Sequence, residues 1–254
     1  QLLHDALIAR KWIADTIMLS GNTDCYQPAE RKFGITRQLL QVFLKFKHPV
    51  GIITKNSLIE RDIDILSQLA AQKLVSVTLS LTTLDEKLKR VMQPRTSPAH
   101  SVLLTIGKLT AVGVPVNVNV APIVPGLNDD GIFDTVKAVA DAGALSAGFI
   151  VVRLNGHNGM IFEDWVKRNF PDRANKVLNQ IKSMHGGKLN DTEWGRRMRG
   201  EGKFAEMIRS QFVLARKKYL SGREWPARDY SLFEATRNQI ILDESGPKDQ
   251  LKLF

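Results

Sequence analysis

The sequence predicts an α/β fold whose parallel strands curl into a barrel. Short runs rich in Val, Ile and Thr, bounded by Gly, Pro, Asn and Asp, alternate with amphipathic helical stretches, which calls for parallel strands and right-handed crossovers. Several of these runs also alternate polar and apolar residues. Strands of a doubly wound sheet are covered by helices on both faces and read as continuously apolar. One polar face instead suggests a barrel whose interior is partly a ligand cavity.

The first residues, QLLHDALIARKW, read as a helix already under way, with no capping residue ahead of it and Gln rather than Met at position 1. A longer parent chain is the expectation. Strand runs follow at 16–22 (TIMLSGN), 49–55 (PVGIITK), 74–83 (LVSVTLSLTT), 114–122 (VPVNVNVAP) and 146–154 (SAGFIVVRL). Between them, 36–47, 58–72, 98–112 and 130–142 place apolar residues at helical spacing. In the third run Ser76, Thr78, Ser80 and Thr82 share one face and Val75, Val77, Leu79 and Leu81 the other; in the fourth, Asn117 and Asn119 oppose Val116, Val118 and Val120. Polar residues gather at the carboxyl ends of the runs, where barrels build their sites. Residues 1–156 are read as the barrel and 157–254 as a mainly helical extension packed on it. The extension has helices at 160–185 and 203–219, loops at 185–191 and 195–202, and a strand or short helix at 238–244.

Composition excludes several classes. The 254 residues are 43% hydrophobic and contain one cysteine, so neither an internal disulfide nor a cysteine-rich metal site can form within them. A reducing, cytoplasmic setting is expected. No apolar run approaches the roughly 20 residues of a membrane span. Lys and Arg number 36 against 26 Asp and Glu, a net charge of +10. Within 196–229 ten basic residues face four acidic ones, with Tyr219 and Trp225 interleaved. Such a segment suits a polyanion, DNA or RNA, through Arg196, Arg197, Arg199 and their neighbours; a solvated helix face is the plainer reading.

The densest polar cluster runs from Ser20 to Glu30 (SGNTDCYQPAE) at the end of the first strand. Its hydroxyl, amide and carboxylate groups suit a ligand's ammonium or hydroxyl, and equally a capped turn. Lys55 ends the second strand as a carboxylate or phosphate clamp, a Schiff-base nucleophile, or a solvated strand-end lysine. Cys25 is a candidate reactive thiol or radical carrier, although a lone cysteine is more often a small apolar residue. His4, His48, His100, His157 and His185 lack zinc-ligand spacing and read as surface or satisfied histidines. In APIVPGLND (121–129), Asn128 or Asp129 is expected to cap the next helix, and Gly126 to allow a close backbone approach.

Taken together, the runs LSGNTDCYQPAER, HPVGIITKNSLIERDIDIL, VSVTLSLTTLDEKL, VNVAPIVPGLND, SAGFIVVRL and GGKLNDTEWGRRMRGEG resemble the radical S-adenosylmethionine proteins related to spore photoproduct lyase, whose members are often labelled DNA repair photolyases. The likeness covers the chain to about residue 215. It implies a partial (β/α)6 TIM-like barrel with a helical C-terminal extension, a [4Fe-4S] cluster, S-adenosylmethionine, and an electron donor such as flavodoxin or ferredoxin. The family's C-x3-C-x2-C loop is missing here. The first visible strand resembles the family's second, so the loop is expected upstream of Gln1. By position, Thr23 and Asp24 match the groups that meet the ligand's amino group, Lys55 a lysine reaching its carboxylate, Ser80 a hydroxyl near the ribose, and Ala121 a strand-end position beside the adenine. The lyase's hydrogen-donating cysteine aligns with Gly21; Cys25, four residues later, is a different site. Two other readings stand beside this one: a Schiff-base, aldolase-type barrel acting through Lys55, and a non-catalytic nucleic-acid-binding protein.

Overall fold

The computed structural model describes residues 1–9, 11–189 and 196–245. Five parallel strands lie in the order of the sequence: β1 (Ile17–Leu19), β2 (Val50–Thr54), β3 (Val75–Ser80), β4 (Val116–Ile123) and β5 (Ser146–Val151). Strand order without a reversal means that every crossover turns the same way. This is the arrangement of a barrel wall, whereas a doubly wound sheet reverses at a switch point.

The register shows what the polar–apolar alternation is for. Val50, Val75, Leu79, Val116 and Val118 are all buried beneath the outer helices. On the opposite face Met18 pairs with Gly51 and Gly51 with Ser76, while Ile53, Thr78 and Asn117 form the next layer. Asn117 donates across strands to Thr78 at 3.4 Å. At Gly51 a Cβ would meet the flexible end of the Met18 side chain, which would have to move aside.

The wall is closed outside by α3 (Ile35–Phe46), α4 (Ile63–Ala71), α6 (Ala99–Ala111), α7 (Ile132–Asp141) and α11 (Gly202–Tyr219). Leu40, Phe43, Leu66, Leu69, Ile106, Val136 and Phe212 join one cluster with the strands. Phe212 packs on Phe149 of β5 with ring centroids 4.8 Å apart. The carboxyl ends of β4 and β5 are covered by α8 (Asn158–Asn169) and α9 (Pro171–Met184) through a second cluster of Val124, Val152, Leu154, Val166 and Ile181. A third cluster joins Leu7 of α1 (Leu2–Ile8), Phe46, and Phe233 and Ile240 of α12 (Ser231–Ser245). His48 is fully buried there, bonded by Trp12 Nε1 at 3.1 Å and by the Pro49 carbonyl at 2.9 Å. It is a satisfied core histidine.

Several sequence expectations need correction. The 160–185 stretch is two helices, because Pro171 cannot continue a helix and instead starts the next one. The 58–72 stretch opens as a 3₁₀ turn, Ser57–Asp62, capped by Asn56 Oδ1 on the Leu58 amide at 3.0 Å. A short helix α5 (Glu86–Met92), capped by Asp85, is added before α6. Residues 196–199 form a helical turn, α10 (Arg196–Arg199), where a loop was expected. Residues 238–244 lie inside α12. Helix α2 (Glu30–Phe33) ends at Gly34, whose φ of 61° turns the chain straight into α3.

A buried ionic network ties these elements behind the carboxyl ends of β1 and β2. Asp62, fully buried, accepts hydrogen bonds from Tyr26 Oη (3.1 Å), Arg37 Nη1 (3.0 Å) and Arg61 Nε (2.9 Å). Arg61 also reaches Glu30 Oε1 at 2.9 Å, and Glu30 accepts from the Ile35 and Thr36 amides at the start of α3. Removing one partner of such a network leaves charge without compensation. Asp62→Ala is expected to destabilise the chain by about 3–5 kcal/mol, read as a lower urea midpoint. A midpoint unchanged from wild type would show that the network contributes nothing.

Candidate functional site

Strand β1 stops at Leu19 because Ser20 takes a left-handed φ of 78°. Its hydroxyl accepts the Cys25 amide at 2.7 Å and closes the turn. The loop then folds back over the end of β2, where Asp24 fastens it. Asp24 Oδ1 accepts from the Tyr26 amide (2.9 Å) and the Thr54 hydroxyl (2.7 Å), and Oδ2 accepts from the Lys55 amide (2.8 Å). Thr36 Oγ1 donates to the Cys25 carbonyl at 2.6 Å and holds the far side of the loop.

This clasp leaves a cleft of about 230 Å³ at the carboxyl ends of β1, β2 and β3, lined by Ser20, Asn22, Thr23, Asp24, Lys55 and Ser80 among others. Four of the five residues expected to hold a ligand therefore meet. Thr23 is exposed on the rim and Ser80 is buried at the end of β3. Ala121 does not line the cleft. It sits at an irregularity in the β4–β5 register, where its carbonyl accepts the Thr82 hydroxyl at 3.0 Å. Its neighbour Pro122 lines a separate cavity of about 320 Å³, together with Gln93, Val152, Arg153, Phe162 and Trp165.

Lys55 is half-buried, and among the described residues its ammonium has no hydrogen bond or ion pair. Burial holds it below the usual lysine range, and the nearby Asp24 carboxylate works against that shift. Cys25 lies in the loop behind the cleft, partly buried against the core. Burial pushes its thiol up to about 11, with the Ser20 hydroxyl opposing and Asp24 adding to the rise. It is therefore a protonated thiol at neutral pH and a poor nucleophile.

Other expected features turn inward. Asn128 does not cap α7. Its Oδ1 accepts the Val124 amide at 2.7 Å, and its Nδ2 donates to the Thr82 and Pro122 carbonyls at 2.9 and 3.0 Å. Asp129 accepts the Gly126 amide at 2.7 Å. Both side chains satisfy their own loop, so Gly131 caps α7 without a side-chain bond. What approaches Gly126 is Gln180 of α9. His185 is buried, its Nε2 at 3.2 Å from the Val152 carbonyl, while His157 is exposed at the start of α8. The basic segment divides between the two ends of the sheet. Arg199 is exposed in α10, and the neighbouring Met198 sulfur meets Arg153 beyond the carboxyl end of β5. Arg223 donates to the Ala140 and Ala144 carbonyls before β5 begins, and Arg228 donates to Thr16 and Ser76 at the amino end of the strands. The side chains of Arg196 and Arg197 lie outside those described. Sequence reasoning missed Asp62, and it placed Tyr26 and Thr54 only as members of the polar strand-end runs. The signal for Thr54 was present, as a hydroxyl ending an apolar strand beside Lys55.

A family model described as the radical SAM superfamily matches residues 1–139, more than half of the chain. The chain belongs to the radical SAM superfamily. A Mycobacterium tuberculosis relative, itself uncharacterized, is 29% identical over 177 residues, covering 69% of this chain and 52% of the relative. An uncharacterized protein of Methanocaldococcus jannaschii is 23% identical over 174 residues, covering 68% and 64%. The chain spans about half the length of the mycobacterial relative. Spore photoproduct lyase complexed with dinucleoside spore photoproduct superposes with a TM-score of 0.61 at 14% identity, over 87% of this chain and 63% of the lyase. A lyase variant with bound AdoMet and the same dinucleoside gives a TM-score of 0.61 at 13% identity, with the same coverage. The superposition establishes a shared fold: the partial barrel expected from the sequence.

Radical SAM proteins use S-adenosylmethionine and a [4Fe-4S] cluster. The cleft's donor set fits the first of these: an unpaired ammonium for a carboxylate, hydroxyl and carboxylate oxygens for an ammonium, and a buried serine at the floor. It does not fit the cluster. The chain has one cysteine, and among the described residues no three His, Cys, Asp or Glu side chains are placed to share a metal.

Two outcomes follow. Asp24→Ala leaves three donors without their acceptor and is expected to destabilise the chain by about 2–3 kcal/mol. It should also speed hydrogen exchange at the Lys55 amide; unchanged exchange there would remove the clasp. Native Cys25 should alkylate with iodoacetamide at pH 8 roughly 100-fold more slowly than in the urea-unfolded chain, since its thiolate is far scarcer when folded. Equal rates by mass spectrometry would contradict the burial.

Proposed function

We propose that this chain is the ligand-holding part of a radical SAM enzyme acting on nucleic acid. The observation that carries the reading is the half-buried, unpaired Lys55 ammonium beside Asp24 in the strand-end cleft. Lys55 would receive the methionyl carboxylate, Thr23 and the one remaining lone-pair site of Asp24 would accept from the amino group, and Ser80 would meet the ribose. Ala121, outside the cleft at the end of β4, is given no contact with the ligand in this reading. Bound S-adenosylmethionine would supply radical chemistry, one electron breaking its sulfonium C–S bond with loss of methionine so that the adenosyl carbon could take a hydrogen atom from the substrate. The chain's own residues orient the ligand and exclude water from the cleft floor.

The cluster's ligands are not among the residues of this chain, which spans 52% and 64% of the two relatives it matches. In this reading a donor of the flavodoxin or ferredoxin type would supply the electron, and a reducing cytoplasm would suit it. Among the described residues no helix is long and apolar enough to cross a membrane. Nucleic acid is favoured by the net charge of +10 and by structural neighbours solved with a dinucleoside. Arg199 with Arg196 and Arg197 would contact its backbone.

Purified anaerobically, the full-length protein is expected to contain iron and sulfide and to release 5′-deoxyadenosine from S-adenosylmethionine on reduction. Lys55→Met should weaken S-adenosylmethionine binding by about 1.5–3 kcal/mol, the worth of a charge-assisted hydrogen bond, as read by calorimetry. A full-length protein without iron, or unchanged affinity in the variant, would overturn the reading.

A further inference from the structure

Lys89, on α5, is only 2% exposed. Its ammonium makes one hydrogen bond, to Thr96 Oγ1 at 3.0 Å, and among the described residues it forms no ion pair. Lysine is almost never buried this deeply unless paired, because an ammonium taken from water without counter-charge is strongly disfavoured. Lys89 nevertheless lines open space: a cavity of about 240 Å³ that it shares with Arg90, His100, Thr96, Ser97 and Glu86. Glu86 is engaged elsewhere, its Oε1 meeting the His100 amide at 3.1 Å and ring Nδ1 at 3.2 Å.

The cavity abuts the cleft already described. The amide of Ser97, which lines the cavity, donates to the Lys55 carbonyl at 3.3 Å, so the two sites are joined through that bond. Burial holds the Lys89 ammonium below the usual lysine range; Glu86 opposes this and the Lys55 charge adds to it. A buried ammonium lining open space, with no ion pair among the described residues and a guanidinium beside it, calls for an anion from outside the chain.

We propose that the cavity beside Lys89 binds a phosphoryl group of the substrate, held by the Lys89 ammonium and the Arg90 guanidinium at the rim of the strand-end site. A multiply charged anion matches several cationic groups around one cavity. Lysine supplies a point charge and arginine a fork of donors, the pairing that phosphate oxygens favour. The cavity is open enough for the remainder of an ester to leave it. The assignment concerns binding by this chain and holds whether or not the radical reaction does.

The test is thermal unfolding of the chain against inorganic phosphate, at constant ionic strength, with acetate as the comparison anion. Phosphate should raise the unfolding midpoint saturably, and acetate should not. Lys89→Met should weaken the apparent affinity at least about tenfold, the loss of one charge-assisted bond. Arg90→Ala and Glu86→Gln keep Lys89 in place and read the site even if Lys89→Met fails to fold. The first should weaken binding several-fold, and the second should strengthen it. Lys217→Ala, on the exposed face of α11, should change nothing. Competition by a short oligodeoxynucleotide assigns the phosphoryl group to a nucleic-acid backbone, and competition by a nucleoside monophosphate alone assigns it to a phosphomonoester; both support the subsite. Absence of a saturable effect in wild type, equal protection by acetate, or wild-type behaviour of both Arg90→Ala and Glu86→Gln would overturn it.

Discussion

The Asp24 carboxylate is the constraint on which the site depends. A parallel strand that ends at a barrel rim leaves backbone donors pointing at nothing, and the loop that follows has no ladder to hold it. Asp24 answers both needs, taking the Lys55 amide at the end of β2, the Thr54 hydroxyl beside it, and the Tyr26 amide of its own loop. The residue that fits a ligand's amino group is thus first a structural fastener. The two roles are compatible because a carboxylate offers about four lone-pair sites and the clasp uses three.

Behind the clasp, the burial of Asp62 gives the loop a rigid floor. Tyr26 follows Asp24 by two residues, and its hydroxyl ends on Asp62, which two arginines also hold. Strand end, loop and the first turn after β2 are therefore joined by one set of hydrogen bonds. At the opposite end of the sheet the C-terminal segment supplies Arg228, whose guanidinium bridges Thr16 and Ser76. Arg223 and Arg228 spend donors on the fold's own carbonyls and hydroxyls. Net charge alone therefore overstates the basic surface available to a polyanion.

Membership in the radical SAM superfamily and the polar strand-end cleft agree on where chemistry would occur. The unpaired cations sharpen that picture. Lys55 faces the cleft and Lys89 the neighbouring cavity, and the Ser97–Lys55 backbone bond joins the two walls. A rim with two adjoining anion-seeking positions suits a ligand carrying a carboxylate and a substrate carrying a phosphoryl group.

Periodicity alone determined the class of fold. Polar residues at every second position of 76–82 and 117–119 can satisfy both a helix-covered face and a ligand-facing one only in a barrel wall, and five strands were legible in order. Thr23, Asp24, Lys55 and Ser80 were marked by their match to the family's motif positions and by lying at strand ends, and the fold brings them to one cleft. What tertiary structure decided was partnership. Asn128 and Asp129 bond back into their own loop, and Gly126 admits α9. Ala121 falls outside the cleft, and the basic segment splits between the two ends of the sheet. Asp62 and Lys89 look like ordinary helix charges in sequence; only the packing of neighbouring elements buries them. Local spacing encodes which face a side chain takes, because that follows from backbone geometry. It does not encode which distant donor or acceptor arrives there, because that depends on how separate elements meet in space.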